Sequence, residues 1–310
     1  MVFSSHEEES MERRQASFQE LFNEAYSGDL RTKAFSLQKS LQEASLPSGI
    51  GHPDYEYLNI GETEEGTIVV VFMDIRGFTK LAIALDNEEV VRILQATLAA
   101  SIFSIRLFGG YVADLTGDGI MALFGGRDST DPEDAFNAVS AAAFLMKGMK
   151  EVVAQRLSQR GEETVRVGMG LEYGEVLWTR LGLPQSSQVK PISGISFLAG
   201  KLCTGRYTSS WECKMGQNLA AWLPDQYKSR AARYEFQYNG RLYTHDLYLF
   251  DWEGFHRNYN LDPLTLEYVA KSRRMPRPTW PRVIAAPVPG DPTGRPSPGG
   301  PRPLKDQPFF

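Results

Sequence analysis

Two rhythms of apolar residues run along the chain. Thr67-Ile-Val-Val-Val-Phe-Met73 is β-branched or apolar on both parities, which predicts a strand buried on both faces. Asn87–Phe108 carries Val90, Val91, Leu94, Leu98, Ile102 and Ile105 at three- and four-residue steps, which predicts a helix. Tyr111–Leu115 and Ile120–Phe124 read as two strands joined by a Gly-Asp-Gly turn at 117–119. Thr130 or Asp131 can cap a second long helix, with Pro132 in its first turn, running to about Gln159. A strand over Thr164–Glu172 follows, with Arg166 inside it, and then a hairpin-like region over 174–193. Trp211–Met215 reads as a short strand and Gln217–Trp222 as a short helix. Asn239-Gly240 between alternating apolar residues marks a hairpin of Tyr234–Tyr238 with Arg241–Phe250.

The flanks differ in character. Residues 1–15 are charged, and 16–44 read as one or two helices broken at Ser27-Gly-Asp29. Phe18, Leu21, Phe22, Ala25 and Tyr26 share one helical face, and Leu37, Leu41 and Ala44 suit a second helix. These helices either pack on the following domain or serve dimerisation or a partner. From about Pro263 the composition changes, and eleven of the eighteen prolines lie at or after Pro276. Such a segment cannot build a core and is expected to be extended or disordered, either a solvated tail or a docking ligand. The expected division is 1–65 as helical lead-in and connector, 66–262 as catalytic domain and 263–310 as Pro-rich tail.

Composition narrows the function. An apolar fraction of 42% over 310 residues suffices for a sizeable core, and a net charge of −5 gives no reason to expect nucleic acid as a partner. Cys203 and Cys213 are too few for a disulfide framework and lack zinc spacing, which fits a reduced cytoplasm. No apolar run approaches about 20 residues, so no transmembrane helix is expected.

The chemistry gathers at two carboxylates. A strand buried on both faces should not end in an unpaired charge, yet Asp74 follows Met73 directly. Asp118 stands in the same predicament between two apolar strands. If these strands are neighbours, about 5 Å apart, both carboxylates can hold one hard cation or a pair of them. Gly77-Phe78-Thr79 opens a helix whose free N–H groups suit phosphate oxygens. Two divalent ions suit attack of one oxygen on a phosphorus while another oxygen leaves.

Phe72-Met-Asp-Ile-Arg-Gly-Phe-Thr79 and Gly117-Asp-Gly-Ile-Met-Ala-Leu-Phe124 resemble the two metal-binding motifs of class III nucleotidyl cyclases. The resemblance spans about residues 66–252. It implies an α+β fold, a mainly antiparallel βαββαβ sheet with packed helices, working as a homodimer with active sites at the interface. It implies a nucleoside triphosphate substrate and two Mn²⁺ or Mg²⁺ ions held by Asp74, Asp118 and the Ile75 carbonyl. Arg166 falls where the family has a phosphate-binding arginine. The helix over 193–202 resembles the family's last catalytic helix, with Lys201 at the position of a transition-state arginine. Phe197 stands where the family has a ribose-binding asparagine, and Ser196 beside it has the hydroxyl that Phe197 lacks. Arg233 and Arg241 are candidates for a phosphate contact near the last hairpin. Asp114 occupies the position of an adenine-reading lysine, and Phe72 would line the base side. These departures make the chain similar to the bacterial Pycsar pyrimidine cyclases, which act in antiphage defence. That likeness implies a cytoplasmic cyclase, favouring UTP over CTP, whose cyclic product activates a separate effector. The alternatives are an adenylyl or guanylyl cyclase with an unusual pocket, and a catalytically silent nucleotide-sensing or dimerisation module.

Overall fold

The computed structural model describes residues 18–27, 50–161, 164–204, 211–259 and 261. The expected second N-terminal helix, most of the connector before residue 50 and the Pro-rich tail lie outside them.

The run read as doubly buried is the inner strand β1, Thr63–Ile75. It pairs antiparallel with β3 (Gly119–Phe124) on one side and with β4 (Val167–Leu183) on the other. The strand order is β2-β3-β1-β4-β6-β8-β7, where β2 is Tyr111–Leu115, β6 is Cys213–Gly216, β7 is Lys228–Tyr238 and β8 is Arg241–Phe250. β5 (Ser186–Ile192) folds back on β4, and β4 with β6 is the parallel pair. The structure is thus α+β with a mainly antiparallel sheet, as expected.

Both faces of β1 are covered, which explains its composition. Val69, Val71, Met73 and Ile75 enter one core with the helices α1 (Phe18–Tyr26), α3 (Asn87–Leu107) and α4 (Asp131–Gly148). Ile68, Val70 and Phe72 face a second, smaller core with Tyr55, Trp178, Val189 and Ala199. Helix α6 (Gly194–Thr204) lies on that second face. It can approach because position 170 is glycine. A Cβ there would fall 2.2 Å from the Ala199 carbonyl oxygen and 2.4 Å from the Cys203 amide nitrogen. Backbone cannot yield to such contacts, so Gly170 fixes how close α6 sits to the sheet.

The first N-terminal helix packs on the domain. Phe18 is fully buried edge-on against Phe144, over Gly148. Helix α3 is held at its start by the Asp86 carboxylate, which accepts the Glu89 N–H at 2.8 Å. At 21 residues α3 is long and apolar enough to cross a membrane by length and composition alone, a test that a buried core helix also passes. In this fold Ile93, Ala96, Ala100 and Phe103 bury it in the first core.

A cleft of about 270 Å³ lies beside the first half of β1, lined by Glu64, Glu65, Arg127, Asp131 and Asp134 among others. Burial pushes the Asp134 carboxyl up to about 7, against the Ser129 hydroxyl bond and helped by Asp131 and Glu133. The native state then holds a proton that the unfolded chain releases near pH 4. Stability falls as pH rises from about 4 to about 7, by on the order of 1–3 kcal/mol. Asp134→Asn should match the parent near pH 4.5 and melt higher at pH 8. Parallel melting curves at the two pH values would contradict this.

Candidate active site

The end of β1 and the β2–β3 turn bring the two sequence-marked carboxylates together. Asp74 is directly opposite Gly119 on β3 and Gly168 on β4, and Asp118 immediately precedes Gly119. Both aspartates are half-buried, and their carboxyl groups lie within hydrogen-bonding reach of one another. Burial and then the Asp118 charge push the Asp74 carboxyl above its ordinary range. Arg76 and the Ile75 backbone N–H pull the other way. Two like charges held this close are relieved by a cation between them.

The donor set fits such a cation. It consists of carboxylate oxygens at the end of a strand, next to the Ile75 backbone, and hard oxygens suit Mg²⁺ or Mn²⁺. Among the described residues, no cluster of three or more His, Cys, Asp or Glu could hold a metal by itself. The pair therefore leaves coordination positions for substrate oxygens and water, as Mg²⁺ sites with few carboxylates do.

The other marked residues surround this point unequally. Gly77 turns through the left-handed region at φ 72° and opens the short helix α2 (Phe78–Ala84), so the Phe78 and Thr79 amides precede its first bond, Lys80 N–H to Gly77 C=O. Arg166 is not inside the strand as expected. It lies one residue before β4 and is exposed, and its carbonyl accepts the Arg76 N–H at 2.7 Å. The charged head thereby reaches water without needing a buried partner.

One row of the sheet carries the residues read as base contacts. Phe72 is opposite Met121, Met121 is opposite Asp114, and Phe72 is opposite Gly170 on its other side. Phe72 is half-buried and packs against α6 at Gly200. Two strand spacings put Asp114 about 10 Å from Phe72. Asp114 does not stand alone. Lys190 on β5 donates to its carboxylate at 2.5 Å, and Gln188 Nε2 donates to the Ala113 carbonyl at 3.2 Å. Sequence reading missed Lys190, because it meets Asp114 only when β5 folds over β2.

Helix α6 presents Phe197 and Lys201 outward, one turn apart, with Phe197 73% exposed. Lys201 Nζ donates to the Tyr234 hydroxyl at 2.8 Å and sits 4.0 Å from that ring's centroid. No hydrogen bond or ion pair links it to Asp74 or Asp118 of the same chain. Ser196 is turned inward, with its hydroxyl on the Pro191 carbonyl at 3.3 Å, so it does not stand beside Phe197 to replace the missing hydrogen-bonding group. Arg233 is taken up by Asp246 at 2.6 Å, while Arg241 is exposed at the hairpin tip.

Residues 60–187 match the model of the adenylate and guanylate cyclase catalytic domain. A cytidylate cyclase of Escherichia coli is 30% identical over 180 residues, covering 56% of this chain and 38% of that protein. A cytidylate cyclase of Staphylococcus aureus is 23% identical over 228 residues, covering 68% of this chain and 53% of that protein. The chain thus spans about half or less of the length of these curated relatives. Among solved structures, the adenylyl cyclase CyaB from P. aeruginosa superposes with a TM-score of 0.53 at 23% identity, over 61% of this chain and 95% of that one. The guanylyl cyclase Cya2 superposes with a TM-score of 0.52 at 22% identity, over 60% and 92%. The fold and the resemblance read from the two Asp-centred motifs are both borne out.

Proposed function

We propose that residues 60–187, which match the adenylate and guanylate cyclase catalytic domain, work as a class III nucleotidyl cyclase, and that the chain converts a pyrimidine nucleoside triphosphate to its 3′,5′-cyclic monophosphate and pyrophosphate. The observation that carries the reading is the meeting of Asp74 and Asp118 at the end of adjacent strands.

Asp74, Asp118 and the Ile75 carbonyl hold two divalent cations in this proposal. Those cations, when bound, ease ionisation of the 3′-hydroxyl and offset charge on the phosphates. The rest falls to this chain's own groups. Arg166 and the amides of Gly77, Phe78 and Thr79 take phosphate oxygens. Lys201 supplies a point charge to the phosphorus as its charge grows. In this proposal it does so at the site of a second copy, as the resemblance to the dimeric cyclases implies. The protein is accordingly proposed to work as a homodimer in the cytoplasm and to signal through a separate effector in antiphage defence.

The base meets Phe72 and the polar pair Asp114–Lys190. The pair offers one acceptor and one donor side by side. Cytosine can give its amino group to Asp114 and accept Lys190 at N3. Uracil can give N3–H to Asp114 and accept Lys190 at O4. The sequence reading put UTP first, but the cytidylate cyclase relatives make CTP the first candidate and UTP the second. A second reading, an inactive nucleotide-binding module, is favoured by the apolar Phe197 at the ribose position.

The test is incubation of the purified chain with each of the four triphosphates and Mn²⁺, followed by separation of the products. Cyclic CMP or UMP as the main product is expected. Cyclic AMP or GMP would overturn the pyrimidine reading, and no product from a dimeric protein would favour the inactive module.

A further inference from the structure

The first motif contains a charged residue with no role so far. Arg76 follows β1, and its N–H to the Arg166 carbonyl extends the β1–β4 ladder by one residue, which fixes its backbone. Its side chain lies over Gly168, the residue opposite Asp74. A Cβ at 168 would stand 1.7 Å from Nη2, 2.1 Å from Cζ and 2.4 Å from Nε of Arg76. The guanidinium therefore fills the volume that any other residue at 168 would need.

This guanidinium is half-buried, yet no hydrogen bond or ion pair engages it among the described residues. Its charge acts on both Asp74 and the Cys203 thiol, which puts it between the end of β1 and helix α6. Among the described residues, five N–H donors in a fixed plane thus stand without acceptors beside the dicarboxylate point. Arginine presents its donors as a planar fork that matches phosphate oxygens two at a time. Arg166, exposed on the adjacent backbone, brings a second guanidinium to the same end of the sheet.

We propose that Arg76 is a further substrate-binding residue, gripping the β- and γ-phosphate oxygens of the triphosphate, and that Gly168 is glycine to give its guanidinium room. The inference deepens the cyclase reading and rests on it for the identity of the anion.

The probe is Mn²⁺-pyrophosphate, measured by calorimetry and as a product inhibitor, beside the cyclic monophosphate, which lacks the β- and γ-phosphates. Arg76→Met should weaken pyrophosphate binding about tenfold or more, the scale of one charge-assisted hydrogen bond. Binding of the cyclic product should stay within about twofold of the parent, well under the 1.4 kcal/mol of a tenfold change. Arg76→Lys should restore part of the loss. Gly168→Ala should reproduce it with the melting temperature kept, because only the far end of a flexible side chain must move. The double variant should then be no worse than either single one. Unchanged pyrophosphate binding in a folded Arg76→Met, or equal losses for pyrophosphate and cyclic product, would overturn the inference. A parent that binds Mn²⁺-pyrophosphate but forms no cyclic nucleotide would sink the cyclase reading alone, and the Arg76 comparison would still be read by calorimetry.

Discussion

Asp118→Ala is expected to lower turnover by about 10³-fold or more while leaving the fold intact. The size follows from the several kcal/mol that metal-borne charge contributes to a phosphoryl transition state, at about 1.4 kcal/mol per tenfold. The fold should tolerate the change because Asp118 sits in a turn, half-buried, and brings a like charge to Asp74. Removing it relieves Asp74, so the melting temperature should hold or rise slightly. Asp74→Ala should behave alike in turnover. Cyclic nucleotide formation at the parental rate by either variant would show that the carboxylates are not the metal ligands.

Lys201→Ala should lower kcat by about 10²-fold with KM changed less than about threefold, the pattern of a group acting on the transition state alone. The side chain is exposed and, among the described residues, bonds only to Tyr234, so little stability is at stake. Tyr234→Phe removes that bond and keeps the ring under the ammonium group. If Tyr234 only parks Lys201 away from substrate, Tyr234→Phe should leave kcat equal to or above the parent. A parental kcat for Lys201→Ala in steady-state assays would mean that α6 carries no transition-state charge.

How far the sequence could be read depends on where each interaction is decided. The Thr67–Met73 run announced an inner strand because its neighbours on both faces are helices and loops of the same molecule. The two aspartates were legible because each broke an apolar frame. Asn239-Gly240 marked a hairpin whose turn takes both residues through positive φ. Local patterns suffice for such features. Arg166 was misjudged because the strand begins one residue later, at Val167, and that single step moves its head from a buried ladder to solvent. Ser196 offered the hydroxyl that Phe197 lacks, yet neighbouring residues on a helix point about 100° apart, and Ser196 took the inward side. Lys190 and Arg76 gave no local signal. One depends on β5 crossing β2, and the other on a glycine some ninety residues away.

The central claim is that Asp74 and Asp118 together hold divalent cations over a nucleotide's phosphates. Electron paramagnetic resonance titration of Mn²⁺ in the presence of a non-cyclisable CTP analogue counts those ions directly. The parent chain should bind two Mn²⁺ per nucleotide, and the Asp74→Ala, Asp118→Ala double variant should lose protein-bound Mn²⁺ while remaining folded. The same two ions, held as tightly by the double variant as by the parent, would contradict it.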